Sequence, residues 1–156
     1  MTSTIIQYSV LYLMATFFTF LSGCTEKQAI QTLTTIADAR SHPAHLSDIT
    51  EQGDSVGDVL SFDQPLLDEN RTAIGNNSGS CIRTRVGHSF QCQWTLTFIS
   101  AGNVTGSIQV AGREYDAGTS VISIIGGTGI YSGIKGEMDS TNNNDGTFTQ
   151  VLRIRR

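Results

Sequence analysis

The strongest constraint in this sequence is an alternation of apolar and polar residues that begins near residue 45. Short runs rich in Val, Ile, Thr and Phe are separated by clusters of Gly, Asn and Asp about every ten residues. The clearest run covers residues 90–98, where the two residue types alternate strictly. Such a run is typical of a strand with one buried face and one solvated face. The pattern therefore predicts an all-β domain.

Eight runs of this kind are predicted to be strands: residues 45–50, 58–66, 79–86, 89–99, 104–110, 119–125, 133–139 and 147–155. Their short connections favour an eight-stranded antiparallel up-and-down barrel, with a β-sandwich as the alternative. The glycine-rich run 126–129 lies between two of these strands and is predicted to be a tight turn, because glycine permits the positive φ and the close backbone approach that such a turn needs.

The N-terminal region differs from the rest because residues 1–25 contain no charged side chain. Its apolar stretch stops at Leu21-Ser22-Gly23-Cys24, and a short apolar segment closed by small residues is typical of a secretory signal peptide. The four residues resemble a bacterial lipobox, which predicts that Cys24 is lipidated and becomes the mature N-terminus. No Lys or Arg precedes the apolar stretch, so an uncleaved N-terminal anchor remains the alternative.

These features divide the chain into a lipoprotein signal peptide (1–23), a tether (24–43) and a barrel domain (44–156). Ile30, Leu33 and Ile36 are spaced by three, which leaves a short helix open within the tether. The expected location is the bacterial cell envelope, where the protein faces the periplasm or the exterior and the N-terminal lipid attaches it to the membrane.

The cysteine count supports this interpretation. There are three cysteines, and if Cys24 carries lipid, Cys81 and Cys92 remain as an even pair in an oxidising compartment. They flank a hairpin near Val86-Gly87, and a symmetrical two-residue loop would place them opposite each other, as a disulfide requires. Val suits a two-residue loop poorly, so a longer loop with two free thiols stays open.

The charge distribution and the histidine spacing give no support for nucleic-acid binding or for a metal site. The net charge is −4, and the only basic cluster is the C-terminal Arg153-Ile154-Arg155-Arg156, which is too short to predict nucleic-acid binding. The three histidines show no metal-ligand spacing, so neither a metal site nor a cofactor is predicted.

Several segments, taken in order, resemble a known family: Gly57-Asp58-Val59-Leu60-Ser61-Phe62, Leu66, Gly79-Ser80-Cys81 and Gly126-Gly127-Thr128-Gly129-Ile130-Tyr131-Ser132-Gly133. The set is similar to the plant allene oxide cyclases, and the Gly-Gly-Thr-Gly element also occurs in dirigent proteins. The resemblance implies an eight-stranded barrel whose apolar lumen holds a small hydrophobic molecule. It also implies a possible homo-oligomer, since the plant relatives form dimers or trimers.

In the cyclases, a carboxylate and an asparagine hold a water against the epoxide of a fatty-acid allene oxide. By resemblance, Cys81 falls on the family's lumen cysteine and Gln64 on its lumen asparagine. The family's later lumen tyrosine aligns with Glu114, with Tyr115 one place away, and a slip of one residue turns a strand side chain to the other face. The family's carboxylate comes from a first-strand region that is shorter here, where Asp48 and Glu51 are candidates for it. The cyclase set is therefore not intact, and no catalytic residue is assigned.

The alternation adds further candidates for the lumen. Phe90, Trp94, Leu96 and Phe98 share the face of Cys92, where they either fill a core or form the wall of a ligand site. Arg83 shares the face of Cys81, so it either orients a ligand carboxylate inside the barrel or reaches water at its mouth. The predicted lumen residues are Gln64, Cys81, Arg83, Trp94 and Tyr115.

Three hypotheses for the function follow. The first is an envelope-anchored barrel that binds a small hydrophobic or amphipathic molecule. The second is an isomerase, cyclase or dirigent-type protein that steers the stereochemistry of a reactive intermediate. The third is a structural envelope protein with a filled barrel. A cavity in the lumen would separate the first two from the third.

Overall fold

The computed structural model describes residues 30–49 and 52–156. The expected signal peptide, Cys24 and the candidate Glu51 lie outside these residues. The described residues form strands, turns and loops. None of them belongs to a helix of the length and apolarity that crossing a bilayer requires.

The described part of the chain contains nine strands, and all of their pairings are antiparallel: β1 Gln31–Asp38, β2 His45–Ser47, β3 Val59–Leu67, β4 Ala73–Arg85, β5 Ser89–Ser100, β6 Asn103–Tyr115, β7 Thr119–Gly129, β8 Lys135–Asn142 and β9 Thr147–Arg155. Sequence neighbours from β2 to β9 are also neighbours in the sheet, and β1 follows β9. Because β1 also pairs with β3, the sheet closes on itself. The predicted eight-stranded antiparallel barrel is confirmed, with short β2 as an addition beside β3.

The expected tether is the main correction to the predicted organisation. Residues 31–38, assigned to the tether, form β1, which pairs with β9 along its whole length. The predicted first strand at 45–50 is only the three-residue β2. The barrel therefore begins near residue 31 rather than 44.

The sequence conceals β1 because a polar residue, Thr35, interrupts its inner face between Leu33 and Ala37. Thr35 is fully buried, and its hydroxyl donates a hydrogen bond to Gln150 Oε1 on β9. On the opposite face, Ile36 is buried as well and is the register partner of Leu67. A strand whose buried residues include Thr and lie on both faces shows no alternation with a period of two. The spacing of three between Ile30, Leu33 and Ile36, which had left a short helix open, therefore does not reflect a helix.

The glycine-rich run 126–129 serves close approach rather than a turn. It lies within β7, and the turn follows at residues 130–134. A Cβ on Gly127 would lie 2.5 Å from the Tyr131 carbonyl oxygen and 2.7 Å from that of Ser107. Only glycine lets the three backbone segments come this close.

The β4–β5 hairpin settles the question of the two cysteines. Cys81 and Cys92 are register partners with their Cα atoms 4.0 Å apart, and a disulfide joins them. The loop has three residues, with Gly87 in the left-handed region (φ 60°), and a register shift between Arg83 and Arg85 restores the pairing. A bulge therefore absorbs the extra loop residue that had made the pairing uncertain.

Inside the barrel, a solid core occupies only part of the lumen. Its largest fully buried apolar side chains are Leu66, Leu96, Ile108, Ile122, Met138, Leu152 and Val110. On β5, Leu96 and Phe98 belong to this core, whereas Phe90, Cys92 and Trp94 precede them along the same face and line a cavity. The strands thus pass from a filled part of the barrel into a hollow part.

Candidate site in the barrel lumen

The hollow part of the lumen is a cavity of about 360 Å³. Its lining comes from seven of the nine strands and from loop residues at the mouth: Ala37, Ala39, Ala44, Leu60, Phe62, Gln64, Asn77, Cys81, Phe90, Cys92, Trp94, Glu114, Tyr115, Asp116, Ser140, Asn142, Phe148 and Gln150. This volume lies within the range of small-molecule sites in proteins.

Aromatic side chains and the disulfide form the apolar wall. Trp94 is only 3% exposed, and its register partner on β4 is Gly79. A Cβ on Gly79 would collide with the Trp94 Cβ, so the glycine makes room for the indole. Phe62 meets the indole edge-on, with ring centroids 6.3 Å apart. Cys81 and Cys92 line the same cavity, and because their sulfurs are bonded, neither offers a free thiol.

A row of amides forms the polar wall. Thr35 donates to Gln150 Oε1 at 2.9 Å, and Gln150 Nε2 donates to Asn77 Oδ1 at 3.4 Å. Gln64, on the neighbouring strand to Asn77, is 4% exposed and lines the cavity. Its amide has no hydrogen-bond partner among the described side chains and backbone groups. An amide offers both donors and an acceptor, so Gln64 is free to bind a ligand group of either kind.

Glu114 lines the cavity, although the sequence assigned Tyr115 to the lumen instead. It is the register partner of Phe90, so its side chain shares the inner face of β6 with Val110. The Ser140 hydroxyl donates a 2.6 Å hydrogen bond to Glu114 Oε1. Burial raises the pKa of the Glu114 carboxyl above its ordinary 4.5, and the bond from Ser140 offsets part of that rise. Glu114 can therefore hold a proton closer to neutral pH than an exposed glutamate.

Tyr115 belongs to the mouth rather than to the interior. It follows Glu114 on the strand, is 40% exposed, and packs edge-on against His88 with centroids 5.4 Å apart. The sequence could have distinguished the two residues by extending the alternation of β6. The predicted strand stopped at residue 110, however, whereas β6 continues to Tyr115.

Arg83 stands behind the cavity wall. It is 8% exposed and does not line the cavity. Its Nε donates to Asp54 at 2.5 Å, and one terminal nitrogen donates to both oxygens of Asp116 at 2.6 and 2.8 Å. Its guanidinium lies 3.6 Å from the centre of the Phe90 ring. Both charge partners are thus supplied by the protein, and Arg83 holds Asp116 at the mouth instead of facing a ligand.

Asp58, from the Gly57-Asp58 segment of the resemblance, is a structural residue. It is fully buried and accepts the backbone N–H groups of Ile49 and Ser55 at 3.1 and 2.7 Å. These hydrogen bonds hold the pKa of Asp58 below its ordinary value. Asp58 therefore orders the loop beside the mouth. The other candidate on this loop, Asp48, is exposed and does not line the cavity.

Four of the five predicted lumen residues, Gln64, Cys81, Trp94 and Tyr115, therefore line one cavity, and Arg83 does not. Trp94 Nε1 is also a buried donor without a partner in the part of the chain that the structure describes. Such unsatisfied groups are uncommon in folded proteins and call for an explanation. Within residues 30–49 and 52–156, no three His, Cys, Asp or Glu side chains gather as metal ligands would.

Comparison with known proteins agrees with this architecture. The family model described as dirigent-like protein matches residues 13–155. A sequence search among curated proteins finds no significant match. The fold is similar to that of a pyocyanin demethylase, with a TM-score of 0.67, 22% identity and coverage of 80% of this chain and 99% of the other.

Two further structures share the fold. A pterocarpan synthase dirigent protein has a TM-score of 0.63 and 15% identity, with coverage of 81% of this chain and 88% of the other. The Diels-Alderase AbmU from Streptomyces koyangensis has a TM-score of 0.62 and 16% identity, with coverage of 81% and 64%. The resemblance stated from the sequence is confirmed at the level of the barrel superfamily.

Proposed function

This chain belongs to the dirigent-like protein family, and from that premise we propose that its lumen binds a small, largely apolar molecule that carries at least one hydrogen-bonding group. The observation that carries the proposal is the cavity of about 360 Å³, which has aromatic walls and a few convergent polar groups. Small-molecule sites typically have this composition.

The unpartnered amide of Gln64 supports the polar part of the proposal. This amide lines the cavity without a hydrogen bond to the described residues, and a hydrogen bond to a ligand group contributes roughly 0.5–1.5 kcal/mol. The neighbouring Asn77 and Gln150 already bond to each other, so Gln64 is the amide that remains available. The cavity also argues against the third hypothesis, a structural protein with a filled barrel.

Binding can be measured with the neutral dye N-phenylnaphthylamine, whose emission rises in apolar surroundings and whose absorption overlaps tryptophan emission. The chain contains one Trp, Trp94 in the cavity wall, so energy transfer to the dye reports proximity to the lumen. We expect saturable dye emission with quenching of Trp94. If dye emission rises without any energy transfer from Trp94, the dye binds outside the lumen, and this result would contradict the proposal.

A matched pair of variants locates the dye. Ala44 lines the mouth, so Ala44→Phe should narrow the entrance and weaken dye binding. Ala73 is exposed at the start of β4 and does not line the cavity, so Ala73→Phe adds the same side chain where it should have no effect. Equal binding by the two variants would contradict a site in the lumen.

A second candidate function, control over a reactive intermediate, is favoured by Glu114. A carboxyl with a raised pKa, beside a hydroxyl and an aromatic wall, suits the transfer of a proton to or from a bound molecule. The structures that share the fold include a protein described as a synthase and one described as a Diels-Alderase, which is compatible with such chemistry.

Base-catalysed opening of nitrobenzisoxazole tests this second candidate. A carboxylate removes the ring C–H proton, the C–H electron pair forms the nitrile, and the N–O bond breaks to release a coloured cyanonitrophenolate. We expect the protein to accelerate this reaction and Glu114→Gln to abolish the acceleration. Glu69→Gln, at an exposed glutamate in the β3–β4 turn, is the matched control and should keep the rate. Equal rates in both variants would exclude Glu114 as the base.

We also propose that a lipid on Cys24 holds the barrel at the envelope membrane. Six residues separate Cys24 from the start of β1, which allows a reach of at most about 20 Å. β1 starts at Gln31, whereas Ala37 and Ala39 near its other end line the cavity. An anchor at Cys24 would therefore attach to the end of the barrel away from the mouth.

Fractionation of bacterial cells tests the anchor. The wild-type protein should incorporate labelled palmitate and stay with the membranes, because acyl chains attach an otherwise soluble domain. Cys24→Ala should lose the label and leave the membrane fraction, and Thr25→Ala, one residue beyond, should retain both properties. A wild-type protein without label would contradict the anchor.

A further inference from the structure

Every ionisable side chain that lines the cavity is an acid or a phenol. Among the described residues, the lining contains Glu114, Asp116 and Tyr115 but no Lys, Arg or His. Arg83, which lies behind this wall, bonds to two carboxylates, Asp54 and Asp116. The cluster of these three side chains has a net charge of −1, so Arg83 does not provide a positive potential for an incoming anion.

Glu114 has one oxygen available to a ligand. Ser140 occupies Oε1, and Oε2 has no hydrogen-bond partner in the part of the chain that the structure describes. The register partner of Glu114 is Phe90, whose ring also lines the cavity. A carboxylate next to aromatic faces suits an organic cation, which gains both a charge-assisted hydrogen bond and cation–π attraction.

Resting on the proposed function, we propose that the lumen selects its ligands by charge: it prefers an aromatic or similarly apolar molecule that carries an ammonium or another cationic donor, and it rejects carboxylates. Glu114 receives the cation, the wall around Trp94 holds the apolar body, and Gln64 binds a polar substituent deeper in the cavity. This preference is opposite in charge to the fatty-acid derivative that the resemblance to allene oxide cyclases implies.

Rejection of anions has two physical causes. An anion that enters the cavity loses its hydration without meeting a free cation. It is also repelled by Glu114 at the reduced effective dielectric of a partly buried site. A cation loses hydration too, but it recovers that cost at Glu114. The neutral analogue of each ligand isolates the contribution of the apolar wall.

The experiment is calorimetric titration of the purified protein with three matched probes: naphthylmethylammonium, naphthylmethanol and naphthoate. At about pH 8, an ordinary carboxyl is ionised and an ordinary histidine is neutral. We expect affinity to decrease in that order, with the ammonium bound at least about tenfold more tightly than naphthoate. Naphthoate bound as tightly as the ammonium would overturn the inference.

Two variants assign the selectivity to one residue. Glu114→Gln should bring the ratio of ammonium to naphthoate affinity close to one while affinity for naphthylmethanol changes little. Glu69→Gln removes the same charge from the outer surface and should keep the wild-type ratio. A ratio retained in Glu114→Gln would overturn the inference yet leave the proposed function intact. Failure of all three probes to bind the wild-type protein would contradict both.

Discussion

The two parts of the barrel lumen are built by the same strands but have opposite properties. On β9, Phe148 and Gln150 line the cavity, and Leu152 and Ile154 belong to the solid core. On β8, Ser140 lines the cavity and the fully buried Met138 belongs to the core. Where aliphatic residues follow one another on the inner face, the barrel is filled. Where aromatic, small, amide and acidic residues replace them, it is hollow.

This difference suits a fold that combines stability with the ligand site proposed above. In the filled part, tight aliphatic packing stabilises the closed sheet, and changes of a single methylene are felt there. In the hollow part, the protein accepts an unpartnered amide at Gln64 and a buried carboxyl at Glu114. Such departures from good packing are expected at functional sites. We therefore expect the filled part to control folding and the hollow part to control ligand choice.

The largest expected effect comes from opening the barrel, which would destroy both parts. A protein that begins at residue 44 lacks β1, so β9 loses one of its two neighbours along its whole length. We expect it to lose cooperative urea unfolding and to aggregate through the exposed strand edge. A protein that begins at residue 27 keeps β1 and is the control. Cooperative unfolding of the shorter protein would contradict the assignment of β1.

Leucine-to-alanine variants in the two parts should differ in stability. Leu96 is fully buried in the core, so Leu96→Ala should lower the free energy of unfolding by about 3 kcal/mol. Leu60 is half-buried at the cavity, so Leu60→Ala should cost about 1 kcal/mol, because the side chain already borders empty space. Urea denaturation measures both values, and equal costs would remove the distinction between the two parts.

The disulfide between Cys81 and Cys92 is a stabilising element within the hollow part. It joins residues separated by 11 positions, for which the chain-entropy model gives about 3 kcal/mol as an upper value. We expect replacement of both cysteines with alanine to cost no more than this and to leave the fold intact. Mass spectrometry of a non-reduced digest should show Cys81 linked to Cys92. Separate alkylation of the two cysteines in protein trapped at harvest would contradict the bridge.

The smallest expected effect is a pH dependence that belongs to Glu114. Its pKa is raised in the folded protein, so the protonated form contributes stability that is complete below the ordinary value of 4.5. That contribution is lost as the pH rises through the raised pKa. The stability of the wild-type protein relative to Glu114→Gln should therefore fall with increasing pH above about 4.5. The total fall should be about 1.4 kcal/mol for each unit by which folding raises the pKa of Glu114. A difference independent of pH would show that the carboxyl is not desolvated.

The sequence was sufficient for the barrel because most strands alternate clearly, as residues 90–98 do. It was insufficient where a buried polar residue depends on a distant partner. Thr35 bonds to Gln150, 115 positions away, and this concealed β1. Glu114 aligned with the family's lumen tyrosine, but Tyr115 was preferred because the predicted strand ended at residue 110. The register with Phe90 decides between these two neighbours.

The face of the strand on which Arg83 lies did not reveal whether its side chain enters the lumen. Alternation correctly puts it on the face of Cys81, and it is indeed buried. Two carboxylates, Asp54 and Asp116, retain it behind the wall, and they come from loops 29 and 33 positions away in the chain.

The sequence also left open whether the Cys92 face of β5 fills a core or forms the wall of a ligand site. Phe90 and Trp94 line the cavity, whereas Leu96 and Phe98 fill the core. Each interpretation is therefore correct in a different part of the same strand.

A crystal structure from crystals soaked with naphthylmethanol tests most directly whether the hollow part of the lumen is a ligand site. We expect density for the naphthyl ring against Trp94 and Phe62, with the hydroxyl within hydrogen-bond distance of the Gln64 amide. A lumen closed by repacked side chains, or a probe bound only on the outer surface of the barrel, would contradict it.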